Sequence, residues 1–143
     1  MSQNYANHRR LDTLYHFILL PVLLLTLIGA GVNLWKSMDD HERLYSASLI
    51  FVLSLFIIVL ALLARIFALK AQDRAIRADE NLRHFALTGK LLDARLTVKQ
   101  VVALRFASDA EFVSLASAAA DKGLAPDDIK KSIKDWRADE YRV

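Results

Sequence analysis

The chain has no cysteine among its 143 residues. That excludes disulfides, thiolate metal sites and cysteine nucleophiles. Proline occurs twice and glycine four times; with so few breakers and helix formers dominating the remainder, the fold class read from composition is all-α. An excess of one charge is also missing. The net charge is +3 and the pI about 9.3, mild enough to suit anionic lipid headgroups and far from a nucleic-acid-binding signature. No G-x-S-x-G, G-x-G-x-x-G, phosphate loop or H-E-x-x-H occurs, so no catalytic residue is nominated and the chain reads as non-enzymatic.

Charge is absent locally as well. Leu14 to Trp35 contains no Asp, Glu, Lys or Arg, and neither does Leu44 to Ala64. As helices these runs reach about 30 Å, the thickness of a bilayer's hydrocarbon core. A buried-core reading needs a soluble domain large enough to enclose both, and the partly charged tail is too small. The first run also exceeds the apolar stretch of a cleaved signal peptide, is interrupted by Pro21 and lacks an A-x-A site, so it is expected to be retained as a span.

The organisation that follows is a transmembrane helical hairpin. It has an N-terminal segment (1–13), a first span (14–35), an external loop (36–43), a second span (44–65), a cytoplasmic continuation of that helix (66–88) and a small helical domain (89–143). The loop carries two Lys/Arg, Lys36 and Arg43. The terminal sides carry seven, at Arg9, Arg10, Arg65, Lys70, Arg74, Arg77 and Arg83. This bias places both ends in the cytoplasm of a multi-pass protein. Tyr15, Trp35 and Tyr45 mark the span edges. Arg65, Lys70 and Arg74 are candidate lipid-headgroup contacts, and Asp12 is a candidate partner of Arg65 at the same level. Pro21 predicts a kink, because it lacks a donor and crowds the carbonyl of Phe17. Thr26, Gly29 and Asn33 form a small or polar stripe expected to meet the second span.

From Ala47 onward a heptad seam runs along the second helix through Ile50, Ser54, Ile57, Ala61, Ala64, Ala68, Ala71, Ala75, Ala78, Leu82 and Phe85. An alanine seam permits close approach of another helix. The candidate occupants are a second subunit, the chain's own tail and another membrane protein. Asp73/Arg77 and Asp79/Arg83 stand at i, i+4 on the outer face.

In the tail, Gly89 is the expected stop of the long helix. Thr97-x-x-Gln100 and Ser108-x-x-Glu111 are capping-box patterns that predict helices at about 98–106 and 109–121. Gly123 ends the second, and Pro126 opens a last helix at about 126–141. Lys130, Lys134 and Arg137 would form a basic stripe on it, and its acids nearly cancel that charge. No recognition helix rich in Arg, Asn or Gln is present, so no nucleic-acid partner is expected.

His8, Asp12 and His16 share a helical face and are the candidate metal or haem ligands, with an interfacial polar cluster as the plainer reading. Asp39, Asp40, His41 and Glu42 lack calcium-loop spacing and read as solvated. No cofactor is expected.

Gln3-Asn4-Tyr5-Ala6-Asn7-His8-Arg9-Arg10, His16-Phe17-Ile18-Leu19-Leu20-Pro21, Ala103-Leu104-Arg105-Phe106-Ala107, Ile129-Lys130-Lys131, Trp136-Arg137-Ala138-Asp139 and Arg142-Val143 together resemble an uncharacterised family of small bacterial two-span membrane proteins with a helical cytoplasmic tail. The resemblance implies a bacterial inner membrane and supplies no activity. The functional expectation is a membrane-anchored interaction or scaffold module, either self-assembling or an accessory subunit of a membrane complex. The alternatives are a haem- or metal-binding redox protein and an anionic-lipid surface sensor.

Overall fold

The computed structural model describes residues 4–7 and 11–139. Among the described residues its regular elements are all helices, with no strand. A π-helical stretch, Leu14–Leu19, leads into α1 (Leu20–Lys36); α2 (His41–Thr88), α3 (Val98–Leu104), α4 (Asp109–Lys122) and α5 (Pro126–Ser132) follow. Two compact units emerge, Leu11–Ala68 and Leu69–Val143 with Met1–Arg10.

In the first unit, the π-helical stretch ends two residues before Pro21, and Leu20 N–H donates to Tyr15 O. Proline in a regular helix would crowd the carbonyl one turn back, and the wider π turn is one means of relieving that conflict. The π stretch lies just before Pro21, the residue at which the sequence predicts a kink. The Tyr15 hydroxyl donates to Ala61 O at 3.1 Å, and a Cβ on Gly31 would stand 3.5 Å from the Phe51 ring. Ala30, Ser37, Ala47 and Ser54 are buried. Both serines donate to carbonyls of the preceding turn, Ser37 Oγ to Asn33 O and Ser54 Oγ to Ile50 O, each at 2.8 Å. A hydroxyl satisfied in this way can leave solvent without stranding a donor.

In the second unit, α2 stops at Gly89, whose φ of +71° suits glycine and whose N–H donates to Phe85 O at 2.8 Å. The capping box at α3 forms in both directions, between Thr97 and Gln100. Gly123, at φ +60°, closes α4 with Ala119 O accepting its N–H. Phe106, Phe112, Leu104, Ile129 and Val101 are the largest fully buried side chains. Removing each from water contributes about 1.5–3 kcal/mol.

Two expectations for the tail are corrected. The last helix does not run to 141: α5 ends at Ser132, and Ile133 turns extended with ψ 124°. The chain then lies beside the α3–α4 corner. Ser108 N–H donates to Asp135 O (3.1 Å), Arg137 N–H donates to Phe106 O (2.7 Å), and an isolated antiparallel bridge joins Ala107 and Trp136. Trp136 packs on Phe106 with ring centroids 5.2 Å apart. These tertiary bonds outweigh local helix propensity, so Lys130, Lys134 and Arg137 do not share a helical face. The second correction is at Ser108. It caps α4 through its backbone, its carbonyl accepting the Glu111 N–H, without a side-chain cap bond. The reciprocal half of the box is replaced too, the Ser108 N–H going to Asp135 O while the Glu111 carboxylate accepts the N–H groups of Lys134 (3.2 Å) and Asp135 (3.0 Å).

Candidate functional site

The densest arrangement of charge lies where the outer face of α2 meets the tail. Glu80 is 5% exposed, and its carboxylate meets Arg83 at 2.9 Å and Arg137 at 3.6 Å. Arg83 reaches further: Nε donates to Asp109 Oδ1 at 2.6 Å and Nη2 to Ala107 O at 2.7 Å. Its guanidinium also covers the Phe112 ring at 4.2 Å. Arg105 pairs with Asp139 at 2.7 Å, with both side chains largely buried. Buried charges persist only when each is paired and hydrogen-bonded. This network therefore acts as a clasp between α2, the α3–α4 corner and the C-terminal extension.

Alongside, Asn81 Oδ1 accepts from Leu92 N–H (2.9 Å), and His84 Nδ1 lies 2.7 Å from Lys90 O. Asp93 accepts from both the guanidinium and the N–H of Arg95, and Arg95 also reaches Asp121 at 2.9 Å. The Arg95 side-chain hydrogen bond, aided by its N–H, lowers the Asp93 carboxyl to about 2, and the hydrogen bonds to the Asp93 and Asp121 carboxylates raise the Arg95 guanidinium.

A hollow of about 490 Å³ is lined by Glu80, Arg83, Ser108, Asp135, Trp136 and Arg137, together with Asp79 and Asp109. A second, of about 290 Å³, shares Asp79, Glu80 and Arg137. A third, of about 380 Å³, has leucines 91, 92 and 96 with Val113 in its wall. In the first, two arginines stand among four acids, so its surroundings favour cationic or hydrogen-bonding groups. Among the described residues, the Ser108 hydroxyl, shielded from solvent there, has no hydrogen-bond partner.

The residues nominated from sequence are dispersed. His8 lies outside the described residues. Asp12 accepts from Tyr15 N–H at 2.6 Å, and His16 Nδ1 faces Asp12 O at 2.9 Å, so both serve local backbone groups. Among the described residues, no three His, Asp or Glu side chains gather as a metal site. Arg65 covers the Tyr15 ring at 5.4 Å, whereas Lys70 and Arg74 are exposed. Thr26, Gly29 and Asn33 are exposed, and a Cβ on Gly29 would meet nothing within 4 Å. The covered face of α1 is the neighbouring one, centred on Ala30. Of the alanine seam, Ala61 is half-buried and Ala64, Ala68, Ala71, Ala75, Ala78 and Leu82 are exposed.

A family model matches residues 1–143. The chain belongs to the family of unknown function DUF6526. The match spans the whole chain, so the apolar helices and the clasped tail fall within one family definition. No curated protein and no solved structure matches.

Sequence reasoning missed the clasp. It paired Arg83 with Asp79 at i, i+4 on the outer face, whereas Arg83 bonds Glu80, Asp109 and Ala107. The available signal was Glu80 at i, i+3 from Arg83, on the same face as Ile76. Asp109 and Ala107 are brought to that face only by the tail's fold.

Proposed function

We propose that this protein is a membrane-anchored interaction module, in which two spans form a hairpin and the clasped helical tail presents a docking surface. One observation carries the reading. Helices Leu14–Lys36 and α2 are each long and apolar enough to cross a membrane, and only 6% and 11% of their most apolar windows is buried within the chain. A core helix of a soluble protein hides its apolar surface. Here Leu25, Phe56, Leu60 and Phe67 are among the many large apolar side chains left exposed, far more than a water-soluble monomer tolerates. A hydrocarbon environment removes that conflict.

The contacts of Tyr15 with Ala61 and of Gly31 with Phe51 support an antiparallel pairing of the spans. The Lys/Arg bias supports a cytoplasmic location for both ends, and the resemblance to small bacterial two-span proteins is what points to a bacterial inner membrane. Tyr5, near the N-terminus, has its ring 5.8 Å from Lys131 Nζ in the tail, which supports the two ends lying on one side. In this reading Arg65 sits at the lipid headgroup level, braced by Tyr15. The tail, with its paired charges, presents a surface to a partner, which is the work of a scaffold or accessory subunit.

Alkaline extraction of membranes containing the full chain tests the anchor. The protein is expected to stay in the pellet and to need detergent for release. Release by alkali alone contradicts the reading.

A further inference from the structure

Beyond its membrane-proximal part, α2 carries an apolar face that none of the described residues covers. Ala71, Ala75 and Ala78 are exposed, and Leu82 and Phe85 are 68% and 51% exposed. Their alternating spacing makes them successive a and d positions of a heptad, with Ala75 and Leu82 at a and Ala71, Ala78 and Phe85 at d. The tail engages the other side of the helix, through Glu80, Arg83 and His84, so it does not occupy this face. Arg74 and Asp79 flank the face at the g position of one heptad and the e position of the next. Neither has an ion-pair partner among the described residues, whose pairs involve other side chains.

We propose that this face receives the same face of a second copy of the chain, parallel and in register, with Arg74 of one copy paired to Asp79 of the partner subunit. The inference rests on the anchored reading, which presents both copies to each other in the same direction. Charge decides the arrangement. In a parallel pair, g faces the e of the following heptad, so Arg74 meets the partner's Asp79 twice by symmetry. An antiparallel pair sets g against g and e against e, bringing like charges together. The alanines let the backbones approach closely, and Leu82 and Phe85 supply the apolar area that drives association.

The absence of native cysteine makes disulfide trapping a direct test. Ala78→Cys places a thiol at a central d position, where paired chains bring the Cα atoms within disulfide range. Arg77→Cys places one on the outer face as a control. In oxidised membranes the full-length A78C protein is expected to run as a covalent dimer and R77C as a monomer. In the A78C background, R74D or D79R is expected to reduce the dimer several-fold, and the two together to restore it. Equal crosslinking of A78C and R77C, or crosslinking indifferent to both charge reversals, overturns the proposal. With the protein still in the alkaline pellet, such a failure leaves the anchored reading standing. Specific crosslinking of a chain that alkali releases overturns the anchor and leaves the paired face in place.

Discussion

The guanidinium of Arg83 lies 4.2 Å above the ring of Phe112, joining the charged side of α2 to the core of the tail. The contact explains how a bundle of three short helices is held. Its own apolar core is small, and an arginine stacked on a core aromatic and hydrogen-bonded to Glu80, Asp109 and Ala107 adds a second attachment. Side-chain exposure of 11% for Arg83 and 7% for Glu80 makes both sensitive to loss of a partner.

Replacing Arg83 with Met is therefore expected to destabilise the docked tail, by less than the roughly 3–5 kcal/mol of a fully uncompensated buried charge, because Arg137 still faces Glu80 at 3.6 Å. Amide hydrogen exchange in α3 and α4 should accelerate, with little change in the α1 amides. Lys at the same position keeps the charge and loses the forked geometry, so an intermediate loss is expected.

Phe112→Ala removes a fully buried ring from the same contact. A loss of about 3–5 kcal/mol is expected, read as a lowered midpoint for unfolding of the tail in detergent. Leu25→Ala, on the exposed surface of α1, serves as the comparison and should leave that midpoint in place.

The C-terminal extension depends on Glu111. Glu111→Ala removes the acceptor of the Lys134 and Asp135 amides, which water can replace because both residues are exposed, at a cost of about 0.5–1.5 kcal/mol. Those two amides should exchange faster, and the Trp136 fluorescence should shift toward that of a solvated indole as the ring leaves Phe106.

The loop between α2 and α3 has a pH signature. Asp93 is held at about 2 by Arg95, against an ordinary value of 3.8. A depressed carboxyl favours the folded loop above its ordinary pKa, and that contribution disappears as pH falls from there through about 2. The pair is exposed and screened by solvent, so its effect on global stability is small. A carboxylate titration by NMR should place Asp93 near 2 in the parent, and Arg95→Gln should return it toward 3.8.

Much of the helical layout was legible because its signals are local. The apolar runs, Gly89, the Thr97–Gln100 box, Gly123 and Pro126 each act through neighbouring residues, and helices begin or end where they predict. What failed was whatever distant residues decide. The termination of α5 at Ser132 depends on Ser108 and Phe106, which bond the extension from across the bundle. The clasp eluded sequence reasoning for the same reason: Asp79 and Glu80 are both within helical reach of Arg83, and only the placement of Asp109 and Arg137 by the folded tail selects Glu80. On α1, the Thr26, Gly29 and Asn33 stripe was nominated by residue type, whereas the covered face centres on Ala30, beside residues of ordinary hydrophobic character.

The most direct test of the account is the sidedness of the two helices. Single cysteines at Asp39, in the connection between α1 and α2, and at Asp121, in the tail, can be probed with a membrane-impermeant maleimide in intact and in opened cells. The account predicts that Asp39→Cys reacts in intact cells and Asp121→Cys only after opening. Equal labelling of both positions in intact cells, or of neither until opening, would contradict a hairpin whose tail lies inside.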